Sequence, residues 1–239
     1  MRKNRKAIDL RPITFTKDYM ANPLSSCLIE HGDTKVICSV SLEEMVPRWL
    51  RGKGKGWITS EYSMLPTATH TRTDRESVKG KLSGRTQEIQ RLIGRSIRNA
   101  CKLDLLGERV LKIDCDVISA DGGTRTASIN GAWVATRIAL NKLKNKGLLK
   151  EDPMPFGVSA ISCGIINNKV FLDLDYNEDS NADADANFVF NNQGKIIEIQ
   201  CTGEKEAITS SQFSEMFKIS KESCLNIFKL QLSAVKEQV

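Results

Sequence analysis

Histidine is almost missing from this chain: only His31 and His70 occur among 239 residues. That leaves little for mechanisms in which an imidazole activates water, and a Ser–His–Asp arrangement has nothing to support it. The seven cysteines are odd in number and form no CxxC pair, so neither a disulfide framework nor a zinc site is suggested, and reduced thiols in a core fit the pattern. No apolar run approaches membrane-spanning length, so no membrane association is expected. The basic start, Met1 to Arg5, is followed by no apolar h-region, so no secretory signal is expected and the cytoplasm is the natural compartment. No Pro/Gly/Ser linker and no solenoid-period repeat divides the chain. It reads as one domain spanning 1–239, with approximate halves 1–150 and 151–239.

Charge is plentiful but uneven. Residues 48–98 hold twelve Lys/Arg against four Asp/Glu, whereas residues 151–203 hold nine acids against two bases. One basic and one acidic segment suggest a polyanion surface beside a cation or chemistry site, although two solvated faces would look the same.

Periodicity supplies the elements. Ser26–Glu30 and Lys35–Leu42 read as strands around His31-Gly32-Asp33-Thr34. Arg48–Trp57 reads as a loop too polar and Gly-rich to pack, and residues 66–84 continue as a polar loop carrying Arg72, Arg75, Lys79 and Lys81. Arg85–Lys102 is an amphipathic helix, with Ile89, Leu92, Ile93, Ile97 and Ala100 on one side and Arg91, Arg95, Arg98 and Lys102 opposite. Arg85 lies at the edge of the apolar face, so its guanidinium must be half-buried against a partner or poised over a cleft. Leu111–Ile118 alternates as a strand, and a turn (Asp121–Thr126) leads to a helix from about Ala127 to Lys144. Two hairpins follow, Ile161–Ile166 with Lys169–Asp175 and Phe188–Phe190 with Lys195–Gln200, and a last helix runs from about Ser211 to Val235. Strands and helices alternate in both halves, so the class is α/β or α+β.

Two segments could carry chemistry. Gly122-Gly123-Thr124-Arg125-Thr126, between strand and helix, suits an oxyanion: glycines allow close approach and first-turn amides are free to donate. It matches neither a Walker A loop nor a GxGxxG fingerprint. The run Asp173, Asp175, Glu178, Asp179, Asp183 and Asp185 crowds carboxylates that repel unless solvated, protonated or bound to a cation such as Mg²⁺. It is not an EF-hand, because Ala184 stands where glycine is required and Phe190 where the bidentate Glu belongs.

Longer motifs are more specific. HGDTKVICSVSLEE (31–44), GWITSEYSMLP (56–66), HTR (70–72), GRTQEIQRLIGR (84–95), CDVISADGGTRTASINGA (115–132) and DLDYNEDSNADADAN (173–187) stand in an order that strongly resembles the bacterial ribonuclease PH family, from Arg11 to about residue 203. The resemblance implies a two-layer α/β fold with mixed sheets, βαβ units of left-handed crossover and two related halves. It implies a phosphate site at Arg85, Gly122, Gly123, Thr124 and Arg125, with Arg85, Asp179 and Asp185 catalytic. Asp179 and Asp185 would be the paired metal or general-acid aspartates. Arg72, Arg75 and Lys79 would guide RNA, with Arg91 supporting the site; His31 and His70, by their own positions in a hairpin turn and in the basic loop, read as turn or RNA-contacting residues. The implied reaction is phosphate-dependent removal of 3′ nucleotides from tRNA precursors and other RNA 3′ ends as nucleoside 5′-diphosphates, by a homo-hexamer built as a trimer of dimers. Thr67, Cys201 and Gly203 depart from the family pattern without removing any of these groups. A silent RNA-binding subunit, a hydrolytic nuclease and a scaffold with an incidental phosphate-binding turn are the competing readings.

Overall fold

The computed structural model describes residue 2 and residues 5–236, so Met1, Lys3 and Asn4 of the basic start lie outside the described residues. The fold is α/β, with two sheets that enclose a central helix. The first sheet has the order β1-β2-β3-β5-β4, from β1 (Ile13–Lys17), β2 (Ser25–His31), β3 (Thr34–Glu43), β4 (Trp57–Met64) and β5 (Val110–Ser119). It is mixed: β4 and β5 run parallel, joined by helix α1 (Gly84–Ala100), and the other neighbours are antiparallel. The second sheet, β7-β6-β8-β9, is antiparallel throughout. It is built from β6 (Val158–Ile166), β7 (Lys169–Leu172), β8 (Ala184–Asn191) and β9 (Ile196–Gly203). Helix α3 (Tyr176–Asn181) links β7 to β8, and α4 (Ser210–Val235) covers the second sheet.

Helix α2 (Thr124–Asn145) runs between the two sheets. Its sequence, TRTASINGAWVATRIALNKLKN, is apolar or small on nearly every side, which suits a helix with neighbours all round. Gly131 lets it approach the first sheet, since a Cβ there would stand 2.7 Å from Cys38 Sγ. On the other side Asn130 stitches it to β6, donating to Ala160 O at 2.9 Å and accepting from Ala160 N at 2.8 Å. These bonds satisfy the buried amide.

The strand alternation of β5 is as expected: Leu111, Ile113, Cys115 and Val117 are buried while Lys112 and Asp116 face out. Other expectations need correction. β1 and β4 were read as strands by no pattern, because β1 is an edge strand with one partner and β4 mixes polar residues with its buried Ile58, Ser60 and Tyr62. The Arg48–Trp57 segment does pack in part: Leu50, on a short 3₁₀ turn, is buried with Val46 and Val110, and Trp57 leans on them. α1 ends at Ala100, so Lys102 lies beyond it. α2 begins at Thr124, three residues earlier than the apolar run suggests, because Gly123 adopts a left-handed conformation and serves as its N-cap. Among the described residues no helix is long and apolar enough to cross a membrane, and all seven cysteines are free.

Candidate active site

The early start of α2 places Arg125 in its first turn, where backbone amides have no helical partner. Arg85 occupies the equivalent end of α1, whose first turn is fixed by Ser83 Oγ accepting from Thr86 N at 3.1 Å. Both guanidinium groups reach one cavity of about 770 Å³, and Asp179 of α3 and Asp185 of β8 line it as well. Four residues from four elements and both halves of the chain thus share one space. Of the two options for Arg85, the structure selects the cleft.

Glu88, Gln200, Glu204 and Lys205 are among the other polar side chains of its wall. Three cationic side chains therefore face four carboxylates. Among the described residues the salt bridges of these cations run Arg125–Glu88 at 2.9 Å and Lys205–Asp183 at 3.8 Å, leaving Asp179 and Asp185 without one. Burial pushes the Asp179 carboxyl up, against the pull of Arg85 and Arg125. Burial, then the nearby Asp179 and Glu204, push Asp185 up as well. Asp179 is exposed to the cavity and Asp185 is half-buried; two such carboxylates that lack a salt bridge fit one hard divalent cation completed by water. No group of three or more His, Cys, Asp or Glu is arranged for a metal among the described residues.

The rest of the acidic run does different work. Asp173 is buried at φ 55°, outside β7, and does not line the cavity. Arg11 Nη2 lies 2.7 Å from its Oδ1, and Arg5 Nη1 and His31 Nε2 lie 2.9 and 3.1 Å from its Oδ2. Burial opposes ionisation, yet His31 and Arg11 hold this carboxyl well below the usual range. Glu178 pairs with Arg2 and Arg5, and Asp175 caps α3 in a reciprocal capping box with Glu178. Asp183 accepts from Asn167 N at 2.8 Å. The crowded run thus resolves into arginine partners for Asp173 and Glu178, a helix cap at Asp175, a loop contact at Asp183, and two carboxylates facing the cavity.

The glycine turn joins this brace. Arg11 donates to the carbonyl oxygens of Asp121 and Gly122, and Thr34 Oγ1 donates to Gly122 O at 2.7 Å. A Cβ on Gly122 would collide with the backbone of Leu174 and Asp175, so this glycine lets the two loops touch. Gly122, Gly123 and Thr124 do not line the cavity with Arg125; Thr124 is buried and its Oγ1 accepts from Tyr62 Oη at 2.9 Å. What they do in the structure is set the first turn of α2, with Gly123 as its N-cap.

Arg72, Arg75 and Lys79 lie on the exposed loop before α1, where Arg72 and Lys79 both lean on Asp74 at 3.3 and 3.6 Å. Arg91 is exposed on α1 and does not line the cavity. His31 is buried, so an RNA contact is ruled out for it, and His70 packs against Tyr176 with ring centroids 4.8 Å apart. Sequence reasoning missed Glu88 and Gln200. Glu88 sits three residues after Arg85, one helical turn along, and that spacing was the available signal.

Comparison with known proteins agrees with the geometry. Residues 9–140 match the model of the 3′ exoribonuclease family, domain 1, and residues 158–223 match its domain 2. The chain is 51% identical to ribonuclease PH of Caulobacter vibrioides over 98% of its length and 99% of that protein. It is 50% identical to ribonuclease PH of Methylocella silvestris over 98% of its length and all of that protein. The fold resembles the crystal structure of rice (Oryza sativa) Rrp46 with a TM-score of 0.79 at 18% identity, covering 98% of this chain and 99% of that one. The chain belongs to the ribonuclease PH group of the 3′ exoribonuclease family.

Proposed function

We propose that Arg85 and Arg125 seat inorganic phosphate at one end of the cavity and that Asp179 and Asp185 handle the RNA 3′ end at the other. The chain is a phosphorolytic 3′-to-5′ exoribonuclease of tRNA processing. Phosphate attacks the last phosphodiester, the bond to the 3′ oxygen breaks, and a nucleoside 5′-diphosphate departs. The nucleophile is already anionic near neutral pH, so positioning and charge neutralisation carry the reaction and no imidazole is needed. The observation behind this reading is that two arginines, from the first turns of two helices, converge on one cavity. The first-turn amides of α2 add donors beside Arg125.

Asp185, pushed up by burial and its acidic neighbours, is suited to return a proton to the leaving 3′ oxygen. In the alternative role both Asp179 and Asp185 would be ionised and would hold Mg²⁺, which when bound supplies Lewis-acid neutralisation of the developing charge in place of the Asp185 proton. Arg72, Arg75 and Lys79 steer the RNA strand through its phosphates, and Arg91 supports the track. The substrates on this reading are 3′ tails of tRNA precursors. The working form is a cytoplasmic homo-hexamer, a trimer of dimers, with residues 1–239 acting as one catalytic domain. Incubation of a 3′-extended tRNA with and without inorganic phosphate tests the core of this reading. Nucleoside diphosphates that appear only with phosphate are expected; nucleoside monophosphates released without it would refute it.

A further inference from the structure

Arg125 is held from behind. Its Nη2 donates to Glu88 Oε2 at 2.9 Å, and the other carboxylate oxygen, Oε1, accepts from Gln200 Nε2 at 2.6 Å. The relay crosses the molecule from β9 of the second sheet, through α1, to the first turn of α2. A second bond, Arg95 Nε to Glu198 Oε2 at 2.7 Å, pins α1 to the same strand two residues before Gln200. Arg125 Nε is buried and has no hydrogen-bond partner among the described residues. The guanidinium is therefore tethered through one nitrogen while another buried donor is left unmet. Glu88 stays ionised in this setting: burial opposes it, but Gln200 and Arg125 hold its carboxyl below the usual range.

An arginine on a long flexible stem loses rotamer freedom when it binds an anion. A tether that fixes its fork beforehand removes that cost from the binding step. We infer that Glu88 and Gln200 are positioning residues that preset the Arg125 fork for inorganic phosphate, so that they govern the enzyme's affinity for phosphate and not its grip on RNA. This deepens the phosphate assignment above and rests on it. Glu88 is itself an anion, so the alternative is that it competes with phosphate for Arg125; the two ideas differ in sign.

The test is steady-state trimming of a 3′-extended tRNA across a range of phosphate concentrations. Glu88→Ala should raise KM for phosphate roughly 10-fold, the loss of about one charge-assisted hydrogen bond, while KM for RNA stays put. Gln200→Ala should move it the same way by less, and Glu88→Asp should recover part of the loss. In an Arg125→Lys background Glu88→Ala should add little, because the fork it orients is gone; a merely structural role would add in full. A phosphate KM that is unchanged or lower in Glu88→Ala overturns the inference. Should that variant fail to fold, Gln200→Ala and Glu88→Asp read the same shift. Arg125→Lys alone separates the two levels. If it raises phosphate KM and Glu88→Ala does not, only the tether is wrong; if Arg125→Lys leaves phosphate KM unmoved, the phosphate seat itself is misplaced.

Discussion

Asp173 and Asp179 are six positions apart and behave in opposite ways. Asp173 lies in a braced region where Arg5, Arg11 and His31 surround one carboxylate, and its pKa is depressed. Asp179 and Asp185 line the cavity, where no salt bridge reaches them among the described residues and their pKa values are raised. The first region spends its charges on holding two loops together. The second keeps its charges unsatisfied, as a site that awaits a ligand does. Burial pushes all three carboxyls the same way, so the neighbours decide which becomes structural.

The contrast breaks most sharply at Asp173. Asp173→Asn should destabilise the fold by about 3–5 kcal/mol, the cost of stranding buried cations, seen as a lower midpoint in urea unfolding. Because its folded pKa is lowered, the stabilisation is complete above the unfolded value of about 4 and is lost as pH falls below that. The loss of wild-type stability as pH falls below ~4 should therefore be steeper than in Asp173→Asn, which lacks this carboxylate's contribution. Arg125→Ala or Arg85→Ala should do the reverse: turnover falls roughly 10²–10³-fold while the urea midpoint holds, and lysine rescues poorly because the planar fork is lost. Full activity in either alanine variant would remove the phosphate seat.

Asp179→Asn and Asp185→Asn sharpen the same comparison. Both should lose magnesium-dependent turnover while RNA binding in filter assays persists. Without added metal their melting temperatures should rise, since a carboxyl whose folded pKa is raised loses its stability contribution as pH climbs through that value. A fall in melting temperature would show that these residues belong to the brace. The smallest effect is expected on the exposed loop. Arg72→Ala or Arg75→Ala should flatten the salt dependence of RNA binding by about one unit of slope per lost phosphate contact. An unchanged slope would move the RNA track elsewhere.

Much of this was legible in the chain. The 3.6-residue spacing of Ile89, Leu92, Ile93 and Ile97 gave α1, and the alternation at Leu111 to Val117 gave β5, because each pattern reports a buried face directly. The motifs around Arg85, Arg125, Asp179 and Asp185 marked the four residues that the fold brings together. The sequence could not divide the acidic run by role, because linear spacing carries no information about partners far along the chain. Arg11 reaches Asp173 from such a distance, and Arg5 reaches Glu178 from a similar one. Glu88 and Gln200 escaped notice for the same reason, being 112 positions apart.

The order of residues determined the elements and the chemical types on offer: arginines at helix starts, a glycine turn, spare carboxylates, hardly any histidine. Periodicity and turn chemistry are local, so they can be read without coordinates. Only the tertiary structure decided which carboxylates are matched by arginines and which face the cavity. A charge is settled by neighbours within a few ångströms, and those neighbours come from distant parts of the chain.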